Sequence, residues 1–208
     1  MNSLRLLWLT AWTSVGLHLL GLGLALLGMR SGTAVVPLAE RTAYLAGRPL
    51  GWVVGWSVWA LCALVLVGFL GTLLARAKTR AQALVRGLAV VLAGSGAAVD
   101  LLCDTLWIAL IPRLALDADM SLFRAFERLL LLGGAVVANG LYSLAVLLVS
   151  LTLREGRALG WATWGFGMLM VAAGFGGDPR HLEWLAGPMI GAFLGWTLVV
   201  ARAERRRG

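Results

Sequence analysis

The chain has 208 residues, of which 60% are hydrophobic and only 13% charged, with a mean hydropathy of +0.87. A soluble domain is excluded, because it would need far more polar surface than this, and an integral membrane protein is what remains. The formal net charge is +8, but its clustering at the ends of apolar runs argues for membrane orientation and against nucleic-acid binding.

Six apolar runs approach or exceed the roughly 20 residues that cross a bilayer. They cover residues 6–29, 51–75, 87–111, 129–153, 159–175 and 184–201. The expected fold class is all-α, a six-helix bundle forming a single membrane domain over residues 1–208. The first run is too long for the core of a signal peptide, has one Arg before it and no small-x-small cleavage pattern after it, so it is expected to be retained. It places Thr10, Ser14 and His18 on one face. The following connection contains Pro37 and Pro49, with a short surface helix expected over residues 38–45. The second run opens with Gly51 and Gly55, a brief smooth ridge for helix packing.

The third run carries Ala93, Gly96, Asp100, Asp104 and Trp107 on one stripe at helical spacing. The connection after it reads as a turn and then an amphipathic entry. Asp119 or Ser121 is positioned to cap that entry, and Leu122, Phe123 and Phe126 face lipid or the bundle. The fourth run has a comparable polar stripe of Asn139, Tyr142, Ser143 and Ser150. The fifth run is the shortest and is rich in Gly. The sixth repeats Gly187, Gly191 and Gly195 at four-residue steps, a second candidate packing ridge, within the chain or between copies.

With six spans, one side collects Arg5, Arg76, Lys78, Arg80, Arg86, Arg154, Arg157, Arg202, Arg205, Arg206 and Arg207 against Glu155 and Glu204. The other side holds seven basic against six acidic residues outside the spans. The positive-inside rule then places both termini in the cytoplasm of a bacterial-type inner membrane, with the basic tail against anionic headgroups. Trp8, Trp12, Trp161, Trp164 and Trp196 fall near cytoplasmic ends, and Trp52, Trp56, Trp107 and Trp184 near outer ends, as interfacial belts do. Cys62 and Cys103 both lie inside runs, where they read as small buried apolar residues with no disulfide or metal role.

The acidic pair is the feature most in need of a reason. A carboxylate at the centre of an inserted helix costs about 2.5 to 3.5 kcal/mol, and such residues usually mark function. A rise of about 1.5 Å per residue puts Asp100, Asn139 and His18 near mid-membrane. Asp100, Asp104, Asn139, Tyr142 and His18 are therefore expected to converge, with His18 the one group inside a span able to counter a carboxylate. Two like charges one turn apart in a low dielectric do not both ionise easily, so at least one carboxyl is expected to carry a proton. The alternative is that Asp104 reaches water, or Arg113 and Arg124, and stays ionised.

Gly96-x3-Asp100-x3-Asp104, with Arg86 upstream, resembles the second half of the signature of CDP-alcohol phosphatidyltransferases, small enzymes with six membrane spans. The resemblance covers about 20 residues. Their opening D-x-x-D-G has no acidic counterpart around residues 78–83, and their two-metal site needs carboxylates from both halves. Gly94-Ser95-Gly96 with the later His181 resembles the G-x-S-G and histidine of rhomboid proteases. Ala93 stands at the first Gly position, however, and His181 lies across the membrane from Ser95. No haem, retinal, phosphate-loop or CxxC pattern is present, so no cofactor and no metal are expected. The expected function is binding or transport of a small solute or lipid, coupled to protons through the aspartates. The alternatives are a non-catalytic helical scaffold or membrane-complex subunit and, less favoured, a metal-dependent lipid enzyme. Expected partners are membrane lipids and a second copy or complex partner, and no nucleic acid.

Overall fold

A computed structural model describes residues 3–176 and 179–206. Among these every element is helical and none is a strand, and six helices are long and apolar enough to cross a membrane. Helix α1 (Ser3–Leu24) runs on through a π turn (Ala25–Met29) and a 3-10 turn (Arg30–Gly32). Helix α2 (Leu38–Ala46) starts directly after Pro37, as expected. Leu45 is fully buried and Arg41 is only 6% exposed, however, so α2 is packed in and does not merely rest on the surface. Arg48, in the left-handed region at φ 48°, and Pro49 lead into α3 (Leu50–Leu74).

Thr79 caps α4 (Arg80–Ala109) by accepting from Gln82 N at 3.2 Å, while Gln82 reaches back to Lys78 N at 2.9 Å. Two otherwise unpaired backbone donors are satisfied in this way, in the manner of a capping box. Pro112 sits in the first turn of a short further helix, α5 (Ile111–Leu116), where a missing N–H is harmless. Residues read as a turn are therefore partly helical. Asp119 then caps α6 (Met120–Leu130), which continues through an eight-residue π segment (Leu131–Ala138) into α7 (Asn139–Leu151). Gly156 takes φ 74° in the turn before α8 (Arg157–Gly176), and α9 (Pro179–Arg206) contains Pro188.

The long helices close a ring in chain order. α1 packs on α3, α3 on α4, α4 on α7, α7 on α8, α8 on α9, and α9 back on α1. Leu7, Phe69, Leu70, Ala93, Val146, Trp196 and Val200 belong to the larger core cluster. Met29, Leu45, Trp52, Trp107, Ile111 and Phe123 form a smaller one at the opposite end. The outward faces are apolar too, with Leu19, Leu64, Leu88, Leu102, Leu129 and Leu169 at least half exposed.

The predicted glycine ridges divide. A Cβ on Gly51 would lie 3.0 Å from the carbonyl oxygen of Gly28, and one on Gly55 would strike the Met29 side chain, so both serve close approach. On α9 only Gly195 does so, facing Leu159 at 3.3 Å, whereas Gly187 and Gly191 meet open space. The tighter glycine contacts are on α8, where Gly160 and Gly167 abut Ser150 and Ser143 of α7, and Gly174 abuts Val136 of the π segment that leads into it.

Candidate functional site

Helix α4 presents its predicted stripe inward: Ala93, Gly96, Asp104 and Trp107 are buried, and Asp100 is partly so. Asp100 accepts a hydrogen bond from the Tyr142 hydroxyl at 3.1 Å, joining α4 to α7. Two glycines make that contact possible. A Cβ on Gly96 would come within 2.8 Å of the Tyr142 ring, and one on Gly134 would lie 3.3 Å from Asp100 Oδ1. The ring therefore fits where it does because Gly96 lacks a side chain, and Gly134 leaves the carboxylate room to approach closely.

Asp104 lies one turn further along and is only 2% exposed, and its Oδ2 is buried with no hydrogen-bond partner among the described residues. No described Lys, Arg or His forms an ion pair with either carboxylate, and the suggested contacts to Arg113 and Arg124 are not made. Beyond Asp104 the site closes in an aromatic wall. Trp56 and Trp107 stack at 5.1 Å, Trp52 meets both edge-on, and the Trp52 indole donates to the Trp107 carbonyl at 2.8 Å. Cys62 and Cys103 are both free thiols and buried, within electrostatic range of the carboxylates.

Two residues expected at this site are occupied elsewhere. The Asn139 amide donates to the carbonyls of Gly134 and Ala135 at 3.4 and 3.2 Å, within its own chain segment. The physical reason is the π segment, whose irregular ladder leaves those carbonyls needing a donor. His18 is 8% exposed and its Nδ1 lies 2.7 Å from the Ser14 carbonyl. Its ring packs on Phe193 at 5.0 Å and edge-on to Trp59 at 6.1 Å, so it fills the α1–α3–α9 contact and does not offset Asp100. What converges is Asp100, Asp104 and Tyr142.

Two buried ion clusters lie outside that site. Arg41 of α2 donates to Glu127 of α6 at 2.9 Å and stands over the Phe123 ring at 5.5 Å. At the other end of the ring, Glu204 of α9 accepts from Arg76 Nε at 3.2 Å and Arg86 Nη2 at 3.4 Å, and Arg86 also donates to Thr152 at 3.2 Å. In the sequence Glu204 is visible only as an orientation charge, and Arg86 as one and as the residue upstream of the Gly96–Asp104 motif. The helix-face signal for Arg41 was its spacing of four from Leu45, which puts both on one side of α2.

As a metal site the aspartates are incomplete. Among the described residues no group of three or more His, Cys, Asp or Glu is arranged to hold a metal ion. Two carboxylates one turn apart on one helix, one bonded to a phenol and one buried with an oxygen unpartnered among the described residues, can hold and release a proton or bind a polar or cationic group. The chain matches no family model, no curated protein and no solved structure.

Proposed function

We propose that this is a multi-pass protein of a bacterial-type inner membrane with both termini in the cytoplasm. Asp100 and Asp104 are its working site, exchanging a proton as a small solute or lipid binds or moves. Membrane insertion is supported by the six long apolar helices and by the apolar residues on their outward faces. Orientation is supported by the basic residues at the starts of α1, α4 and α8 and at the ends of α3, α7 and α9. The observation that carries the functional reading is Asp104, a carboxyl shut away from solvent that has, among the described residues, an unpartnered oxygen and no basic partner. Burying a carboxyl without a partner is costly, and a residue kept at that cost inside an apolar helix usually marks function, so we read the exchange of its proton as the work of the site. Enzymatic activity is the less favoured reading.

The test is infrared spectroscopy during titration of the wild type, Asp100→Asn and Asp104→Asn in lipid nanodiscs. A protonated-carboxyl band at neutral pH in the wild type, lost in at least one variant, supports the proposal. If the variants fold normally and both wild-type carboxyls are already ionised at neutral pH, the proton argument fails. A second reading, a helical scaffold or complex subunit, is favoured by the close packing around Asp104 and by the Asp100–Tyr142 bond tying two helices. That reading predicts a loss of thermal stability in both variants with no proton uptake at any pH where the protein is folded.

A further inference from the structure

We propose that the cleft between the start of α1 and the end of α9 binds the phosphate of an anionic glycerophospholipid. In this site Arg202, Arg205 and Arg206 hold the phosphate, and Trp8 and Trp12 lie along the glycerol and upper acyl chain. The inference rests on the membrane reading above, which puts this end of the ring at headgroup depth.

The cleft is lined by Trp8, Arg202, Arg205 and Arg206. The Arg205 guanidinium stands over the Trp8 ring at 5.6 Å, which orients it without neutralising it. No ion pair engages Arg202, Arg205 or Arg206 among the described residues. The nearby acid in sequence, Glu204, faces the opposite way and is held by Arg76 and Arg86. Glu155 lines a separate small pocket with Arg202 and Arg206 on the other flank of α9, so Arg205 is the arginine that belongs to the Trp8 side alone. Guanidinium forks pair bidentately with phosphate oxygens, and three of them at one cleft suit a phosphate better than a single carboxylate.

The tryptophans decide between a lipid and a free anion. Trp8 and Trp12 stack at 6.2 Å with planes 24° apart, and Trp12 is 51% exposed one turn deeper than Trp8. Leu9 beside them is 57% exposed. A free phosphate has no use for this apolar strip, whereas a phosphate ester of a diacylglycerol fills both halves. The Trp8 indole N–H is also buried without an acceptor among the described residues, a donor that a lipid ester or phosphate oxygen would satisfy after a small ring shift. Arg5 shares the Trp8–Trp12 face of α1 and extends the positive charge above it.

The experiment is native mass spectrometry of the whole protein with phosphatidylglycerol, phosphatidylcholine or inorganic phosphate, with thermal melts confirming that each variant is folded. The wild type is expected to retain phosphatidylglycerol in preference to phosphatidylcholine and to ignore millimolar phosphate. Arg202→Gln with Arg205→Gln and Arg206→Gln is expected to reduce that retention by roughly tenfold or more. Trp8→Leu keeps every charge and is expected to weaken it as well, whereas Lys78→Gln with Arg80→Gln at the same end leaves it unchanged. Equal losses from the Lys78/Arg80 variant would mean diffuse attraction and would overturn the site. Displacement of lipid by inorganic phosphate, with Trp8→Leu silent, would make the ligand a free anion and overturn the lipid assignment. A protein released from membranes by alkaline carbonate would instead sink the membrane reading itself, while one that stays inserted but shows no lipid preference sinks this inference alone.

Discussion

Glu204 carries more of the structure than its place near the end of the chain suggests. It is 2% exposed, and its partner Arg86 is 1% exposed, so neither charge has water to fall back on. Removing one member of a buried pair costs about 3–5 kcal/mol because the other is stranded. Glu204→Ala is expected to lower stability by about that amount, while Glu204→Gln keeps an acceptor for Arg76 and loses less; thermal melts in detergent read the difference. Tyr142→Phe is a gentler change, removing one interhelical bond at about 0.6 kcal/mol and leaving Asp100 without its donor. At the surface, the Leu122 N–H and then the Ser121 hydroxyl hold the Asp119 carboxyl below its ordinary range. The depressed folded-state value means the cap contributes fully above the unfolded Asp value of about 3.9 and is lost as pH falls through the lower folded one. Amide-exchange protection at Leu122 is therefore expected to decline in acid, and Asp119→Ala to remove both the protection and its pH dependence.

The contact between α7 and α8 shows how element packing follows from a period. Gly160, Gly167 and Gly174 recur every seven residues, and so do Ser150, Ser143 and Val136, which they meet in antiparallel order. Seven residues bring a helix face back after two turns, so each glycine admits one side chain of the neighbouring helix. Both serines satisfy their hydroxyls on their own helix, Ser143 on the Gly140 carbonyl and Ser150 on the Val146 carbonyl, so neither hydroxyl is left unmet where the glycines press on it. Gly167→Ala is expected to overpack this contact and destabilise by about 1–3 kcal/mol. Gly187→Ala and Gly191→Ala face open space and are expected to stay within about 0.5 kcal/mol of the wild type. Comparative melts of the three variants would reverse the ranking if α9 carried the main ridge. The four-residue glycine step on α9 was the conspicuous pattern in the sequence, and the seven-residue step on α8 was hidden by the number of glycines around it. The long helices were legible because their apolar runs match the length that a bilayer crossing requires, and the Asp119 cap because capping is local. Asn139 was not, since nothing in its neighbours announces a π segment that would claim its amide. Arg41 was not, because its partner Glu127 lies 86 residues away.

At the scale of the whole molecule, charge is arranged in two different ways at the two ends of the ring. One end gathers Arg76, Arg86 and Glu204 in a buried cluster and leaves Arg5, Arg202, Arg205 and Arg206 exposed around it. The opposite end pairs Arg41 with Glu127 beneath α2 and mixes acidic with basic residues. Between them the side chains facing outward are mostly apolar, and the two aspartates face inward. An asymmetric cationic end bounding an apolar belt is how a chain fixes its orientation, since arginines near the ends of spans resist translocation. Ser31 lies at the mixed end and Ala81 at the cationic end, both exposed, while the native Cys62 and Cys103 are buried and make a quiet background for thiol labelling. In intact cells, a membrane-impermeant maleimide is expected to label Ser31→Cys and to spare Ala81→Cys until the membrane is broken. Labelling of Ala81→Cys alone would invert the orientation, and the proposed lipid cleft at α1 and α9 would then face the outer leaflet. Equal labelling of both in intact cells would mean that the six apolar helices do not form a sealed transmembrane unit, and the proton site proposed at Asp104 would lose the barrier that gives its proton any work to do.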